Sequence, residues 1–227
     1  MLFRSLVAGG IFGGSLYFFT ENTALGITQA SNVSFIICTA PLLTTILSLL
    51  FYKSEKASKG LIYGSLLALM GVGLIVFNGS FVLKISPIGD LLTLLAALSW
   101  AFYSLIIKKM AGRYPTIFIT RKIFFYGVLT ILPAFLLHPL QPDTAVLLQP
   151  AVLFNLLFLA VLASLICYVL WNVVLKQLGT VRASNYIYLN PLVTMIASFL
   201  ILDEKITLVA LGGAACIVCG VYWAEKK

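Results

Sequence analysis

The sequence predicts an all-α polytopic membrane protein with eight transmembrane helices, and three observations predict it. The chain is 61% hydrophobic and only 10% charged, where a soluble domain carries about 25% charged residues. Its mean hydropathy is +1.08. A water-soluble fold of 227 residues has too little interior to hide that much apolar surface, so the solvent is lipid. Second, apolar runs of about 20 residues, the length that crosses a bilayer as a helix, follow one another with short breaks. Third, nearly all the basic residues fall on one side of those runs. Lipid admits only helices and closed barrels. Barrel strands would alternate polar and apolar over about ten residues. The runs here are continuous and about twice as long, so they are helices.

The first span, Leu2–Gly26, is too long for a signal-peptide core and shows no cleavage site leading to a polar mature domain. Its Gly9-x-x-x-Gly13 and Gly10-x-x-x-Gly14 pairs let a neighbouring helix approach closely. Ala30–Tyr52 carries Pro41 at mid-span. Gly60–Phe77 is glycine-rich, with Gly60-x-x-x-Gly64. Ile88–Lys108, Thr116–Leu137 and Ala151–Leu175 are continuous apolar runs. Val181–Leu202 carries Pro191 at mid-span. Ile206–Trp223 closes the series with Gly212-x-x-x-Cys216-x-x-x-Gly220. Helix packing is the expected role of these small-residue pairs.

With the N-terminus inside, the inner segments hold Arg4, Lys53, Lys56, Lys59, Lys108, Lys109, Arg113, Arg121, Lys122, Lys176, Arg182, Lys226 and Lys227. Only Lys84 and Lys205 of the 15 basic residues are left outside. The acids Glu21, Asp90, Asp143, Asp203 and Glu204 fall at or near the outer side. Inner loops rich in Lys and Arg set orientation, so both termini are expected in the cytoplasm. The net charge of +8 is then topogenic, and a nucleic-acid partner is not expected.

Two stretches resemble each other: "ASNVSFIICTAPLLTTILS" from Ala30 and "ASNYIYLNPLVTMIAS" from Ala183. Leu25-Gly26 precedes the first and Leu178-Gly179 the second. An acid–Lys pair follows each, Glu55-Lys56 and Glu204-Lys205. A glycine-rich span comes next, in which Gly64 and Gly71 match Gly213 and Gly220. The first three spans therefore match the last three. By the charge count the two copies run in opposite directions. Inverted repeats are the signature of many secondary transporters, in which one unit rocks against the other. The second unit holds five spans and the first only three, so the pattern is three plus five of a five-plus-five design. Residues 1–80 are read as the incomplete first unit and 88–227 as the second.

These residues carry a family resemblance that covers essentially the whole chain. "ENTALGITQASNVSFIICTAPLLTTILSLLFYKSEKASKGLIYGSLLALMGVGLIV", "GDLLTLLAALSWAFYSLIIKK" and "YVLWNVVLKQLGTVRASNYIYLNPLVTMIASFLILDEKITLVALGGAACIVCGVY" resemble, in that order, the drug/metabolite transporter superfamily in its EamA-type branch. The resemblance implies ten helices in two inverted fives, of which this chain lacks the first two. It also implies export or exchange of small metabolites across a bacterial-type inner membrane. A degenerate or truncated non-transporting scaffold is the alternative reading.

The candidate cavity residues follow from polarity inside spans. Glu21 stands in an apolar helix near its outer end, with Asn22 beside it. An acid within a membrane span is functional by default: either it reaches the interface, or it pairs with a cationic substrate or carries a coupling proton. Tyr186, Asn190, Thr194 and Ser198 recur every fourth residue and share one helix face, which should meet protein or water. Asn32 and Asn185 belong to the repeated Ala-Ser-Asn. Pro41 and Pro191 each remove a helical hydrogen bond, giving either a bare kink or a bend at a transport pathway. Trp100, with Tyr103, and Tyr168, Trp171 and Asn172 mark either an interface belt or an aromatic cavity wall. No Lys or Arg lies at a span centre, so a phosphorylated substrate is disfavoured.

Catalysis is not expected. His138 stands alone at a loop edge, no H-E-x-x-H occurs, and Asp90 and Asp203 sit at span ends. Cys38, Cys167, Cys216 and Cys219 lie in apolar runs, and with a single histidine neither zinc nor another cofactor is expected. No G-x-x-x-x-G-K-[ST] nucleotide loop is present, so uphill transport would draw on an ion or counter-substrate gradient. The expected partners are the lipid bilayer and a small-molecule substrate. The coupling ion and the oligomeric state stay open, a proton and a homodimer being one option for each.

Overall fold

The computed structural model describes residues 2–52, 58–77, 86–137, 144–202 and 206–226. Lys53, Glu55, Lys56, Lys84, His138, Asp143, Asp203, Glu204, Lys205 and Lys227 lie outside the described residues. Every regular element among the described residues is helical. In order they are α1 (Leu2–Ile27), α2 (Ala30–Ile37), α3 (Ala40–Phe51), α4 (Lys59–Phe77), α5 (Pro87–Ala111), α6 (Thr116–Leu137), the short α7 (Thr144–Leu147), α8 (Pro150–Leu178), α9 (Thr180–Asn185), α10 (Asn190–Leu202) and α11 (Leu208–Glu225).

Among the described residues seven runs are long and apolar enough to cross a membrane, α2 and α3 together making one of them. The shortest, α11, has 18 residues, about 27 Å at 1.5 Å per residue. The run expected over Val181–Leu202 is instead split into α9, a 3₁₀ turn over Tyr186–Leu189, and α10. Its partner in the repeat is split too, between α2 and α3 at Cys38 and Thr39. Both breaks have one cause. Pro41 stands at the start of α3, and Pro191 is the second residue of α10. Neither can give an N–H to the carbonyl four residues back, on Ile37 and Ile187. Tighter local bonds take over. The Thr39 N–H and hydroxyl both donate to the Ile36 carbonyl, at 2.9 and 2.6 Å, and the Asn190 N–H donates to Ile187 O.

The ends of α5 are strongly specified. Pro87 opens the helix, Asp90 accepts from the Ser86 N–H at 3.1 Å, and Lys108 and Lys109 lie in the last turn. Acid at the start and base at the end both complement the helix dipole. This helix is central: half of its most apolar 18-residue window is buried, against 6% for α8. Tyr103, Ile107 and Met110 of α5 form one core with Leu6, Ile119, Ile123, Tyr168 and Leu175. A second core gathers Cys38, Ala68, Val72, Tyr188, Ile217 and Val221.

Two helices contain wide π turns, Ile11–Ser15 in α1 and Phe158–Ile166 in α8. The turn in α1 leaves carbonyls for outside donors. Ser99 Oγ donates to Phe12 O at 2.8 Å, and the Tyr168 hydroxyl donates to Gly13 O at 2.7 Å. Gly13 is required there, because a Cβ would overlap the Tyr103 ring.

Helices α4 and α11 cross antiparallel along a glycine seam. Gly64 lies against Gly220 and Ala224, and Gly71 against Gly213 and Ile217. The seam uses Gly213, whereas nothing lies within 4 Å of a Cβ on Gly212. Without a hydrophobic drive between helices in lipid, close van der Waals packing of small residues is what holds such a pair. A Cβ on Gly71 would lie 2.5 Å from Gly213 O and 2.8 Å from Ile217 N. Gly71→Leu is expected to destabilise by about 1–3 kcal/mol, the usual cost of overpacking, in thermal unfolding of the detergent-purified chain. Gly212→Ala should leave unfolding unchanged; equal effects of the two would refute the seam.

Candidate functional site

A cavity of about 280 Å³ opens where the two proline breaks face α1, α5 and α8. Ile37 and Ala40 flank the first break. Tyr186, Ile187 and Asn190 come from the second. Tyr17 of α1, Ala97 and Trp100 of α5, and Trp171 of α8 complete the wall. The two isoleucines are the residues that the prolines deprive of an i+4 donor. The same irregularity that breaks each helix thus brings its backbone to the cavity.

Aromatic rings make one side. The Trp100 ring lies 5.0 Å from that of Tyr17, 5.7 Å from Trp171 and 5.6 Å, edge-on, from Tyr168. Among the described residues the indole N–H groups of Trp100 and Trp171 have no hydrogen-bond partner. Tyr17 donates its hydroxyl to Glu21 Oε1 at 3.0 Å, so the acid is tied to the wall without lining it. No Lys, Arg or His lines the cavity. The amide, the two phenols and the flat apolar faces suit a small organic molecule, and the two indole N–H groups, buried in the wall, lack a partner among the described residues.

Behind this wall lies a polar network that is buried except at its Thr116 end. Tyr103 donates to Asn172 Oδ1 at 2.8 Å, Asn172 Nδ2 donates to Thr120 Oγ1 at 2.9 Å, and Thr120 donates to Thr116 O at 3.0 Å. It joins α5, α8 and α6, while Tyr168 joins α8 to α1. Trp171 precedes Asn172 on α8, so the network fixes its presentation.

The residues singled out from sequence divide accordingly. Trp100, Trp171, Tyr186 and Asn190 line the cavity. Tyr168 and Asn172 support it from the buried side, and Glu21 adjoins it through Tyr17. Pro41 and Pro191 are buried at the breaks. Asn32 is buried, and so is Asn185, whose Oδ1 accepts from Ser65 at 3.4 Å; both belong to helix packing. Asn22 is exposed and bonds the Phe18 carbonyl of its own helix at 2.8 Å, so it does not reach the cavity. Thr194 is exposed and lies beyond the cavity. Of the fourfold stripe, Tyr186 and Asn190 thus line the cavity, and Thr194, one turn further along α10, does not. Tyr17, Ile37, Ala40, Ala97 and Ile187 were not anticipated. Two had a signal, since Ile37 and Ile187 each stand four residues before a proline. Tyr17 had another, four residues before Glu21.

A family model described as the EamA-like transporter family matches residues 2–77 and 87–224. The chain belongs to the EamA-like transporter family. A relative in Archaeoglobus fulgidus, named an uncharacterized transporter, is 30% identical over 217 residues, covering 95% of this chain and 73% of that protein. A probable amino-acid metabolite efflux pump of Salmonella typhimurium is 29% identical over 182 residues, covering 76% of this chain and 60% of that one. One solved crystal structure superposes with a TM-score of 0.82 at 19% identity over 98% of this chain and 76% of the other, a likeness of fold. The family and its relatives are transporters rather than enzymes, and the apolar helices make this EamA-like chain a multi-pass membrane protein.

The Tyr168 hydroxyl donates to the Gly13 carbonyl inside the π turn of α1. Tyr168→Phe is expected to destabilise the protein by about 1 kcal/mol, within the range for interhelical bonds in membranes. Tyr186→Phe, on the open cavity wall, should leave unfolding in detergent unchanged. Equal melting of Tyr168→Phe and wild type would show that the Gly13 carbonyl needs no such partner.

Proposed function

We propose that this EamA-like protein is a secondary transporter that exports small amino-acid-type metabolites by alternating access, with the cavity between its two broken spans as the substrate site. The observation that carries this reading is the shared wall: Ile37 and Ile187, each four residues before the proline of its span, line the same cavity. Discontinuous helices at corresponding points of inverted halves are where such transporters hold substrate.

The glycine seam supports the inverted repeat. In sequence Gly64 matches Gly213 and Gly71 matches Gly220. In space Gly64 meets Gly220 and Gly71 meets Gly213. Exchanging the two copies carries each contact onto the other, which is what a two-fold axis between the helices does. The distribution of Lys and Arg supports cytoplasmic termini. The cavity chemistry and the Salmonella relative's name both support an amino-acid-type cargo. Free indole N–H groups suit carboxylate oxygens, and the tryptophan faces suit an ammonium group or an apolar side chain. Glu21, held by Tyr17 at the wall, is the group assigned to couple transport to a proton.

A panel of amino acids, their derivatives, nucleobases and carboxylates would be tested for saturable thermal stabilisation of the purified chain, then for efflux from loaded proteoliposomes. Trp100→Phe and Trp171→Phe keep an aromatic ring but remove the N–H together with part of the indole. Each is expected to weaken binding of the active compound at least about tenfold, or 1.4 kcal/mol, beyond the fall in ligand-free melting that the smaller ring brings. Binding that is indifferent to both variants would move the site elsewhere. A panel with neither stabilisation nor flux would overturn the reading.

A further inference from the structure

A second opening lies away from the central cavity, between α6 and α8. The two helices pack at one end, where Asn172 bonds Thr120 and the rings of Phe124 and Tyr168 lie 5.0 Å apart. Alongside the π segment of α8 a groove of about 570 Å³ separates them. Ile117, Arg121 and Phe124 form one wall, and Ala160, Ser164 and Val169 the other. The small side chains of Ala160 and Ser164 make the room.

The groove joins an apolar channel to one strong cation. Arg121 is exposed, with its guanidinium 6.0 Å from the Phe118 ring centroid, and Lys122 follows it. Neither α6 nor α8 contains a single Asp or Glu. The guanidinium thus has no carboxylate on either wall. A neutral amphiphile would fill the channel and leave this charge unanswered. A soluble anion would answer the charge and leave the channel empty. A molecule that does both carries an acyl chain and a phosphate, whose two oxygens match the guanidinium fork.

We propose that this groove is a binding site for an anionic phospholipid, with an acyl chain between α6 and α8 and its phosphate on Arg121. The site is separate from the substrate cavity and rests on α6 and α8 presenting this face to the bilayer, so it stands whatever the cargo. Basic residues near the membrane surface attract anionic lipid generally; the groove adds shape to that attraction.

The test uses the full chain, purified in neutral detergent and stripped of lipid. Phosphatidylglycerol and phosphatidylcholine with the same acyl chains are titrated while unfolding is followed. Phosphatidylglycerol is expected to raise the melting temperature saturably above the level reached with phosphatidylcholine. Arg121→Gln should lower the apparent affinity for phosphatidylglycerol about tenfold. Ala160→Phe, which fills the groove without touching the charge, should do the same. Lys59→Gln removes one charge elsewhere and should preserve the preference. Equal effects of the two lipids, or an undiminished preference in Arg121→Gln, would overturn the site. An equal shift with inorganic phosphate alone would overturn the acyl-chain half of it. If a variant does not fold, native mass spectrometry of the wild-type chain in an equal mixture decides: retained phosphatidylglycerol supports the site, and retention in the mixing ratio overturns it.

Discussion

Inside a bilayer no water serves the backbone, so every N–H and C=O needs a partner within the protein. This constraint accounts for most of what distinguishes one span of this chain from another. A span without irregularity, such as α11, satisfies itself and needs only a surface to pack on. Its entry is capped by the Thr207 hydroxyl, which accepts from the Ala210 N–H at 3.2 Å. A span with a proline or a π turn exposes carbonyls that must be served some other way. The fold is arranged around those exceptions.

The regular spans pack by shape. The α4–α11 seam places glycine against glycine, so the backbones nearly touch. Close approach of this kind substitutes dispersion for the hydrophobic drive that lipid does not provide. It also leaves little tolerance, since any side chain added at the seam meets a backbone atom. At the opposite extreme, α8 shows an almost wholly apolar exterior, with Phe154, Leu157, Leu159 and Leu162 exposed. In water that surface would be a liability; in hydrocarbon it is the ordinary outside of a helix.

Much of this was readable from composition and spacing. Span positions, the all-helical class and the transporter family follow from hydropathy and from the order of repeated residues, because lipid permits so few alternatives. Of the site, sequence indicated Trp100, Trp171, Tyr186 and Asn190, all polar or aromatic residues inside apolar runs. It did not separate them from Tyr168, Asn172, Asn32 and Asn185, which look the same in one dimension but face neighbouring helices. Facing depends on helical phase. The π turn over Phe158–Ile166 and the 3₁₀ turn over Tyr186–Leu189 each shift that phase by an amount that a period of 3.6 residues does not capture.

The exceptions are of two kinds, and the difference bears on motion. In α1 the carbonyls freed by the π turn are taken by side chains from other spans, Ser99 of α5 and Tyr168 of α8. Moving α1 against those helices would break tertiary bonds, so this joint is built to hold. At the two proline breaks the new bonds are local: Thr39 donates to Ile36, next to the Ile37 carbonyl that loses its helical donor, and Asn190 donates to Ile187 itself. Bonds of that kind travel with the half-helix that makes them. The bonds to a neighbour lie beside the breaks rather than across them, as where Ser65 of α4 donates to Asn185 at 3.4 Å. The alternating access proposed above requires a frame that stays fixed and hinges that do not. The side-chain-bonded π turn has the physical character of the first, and the self-bonded proline breaks, which are also where the cavity opens, have that of the second.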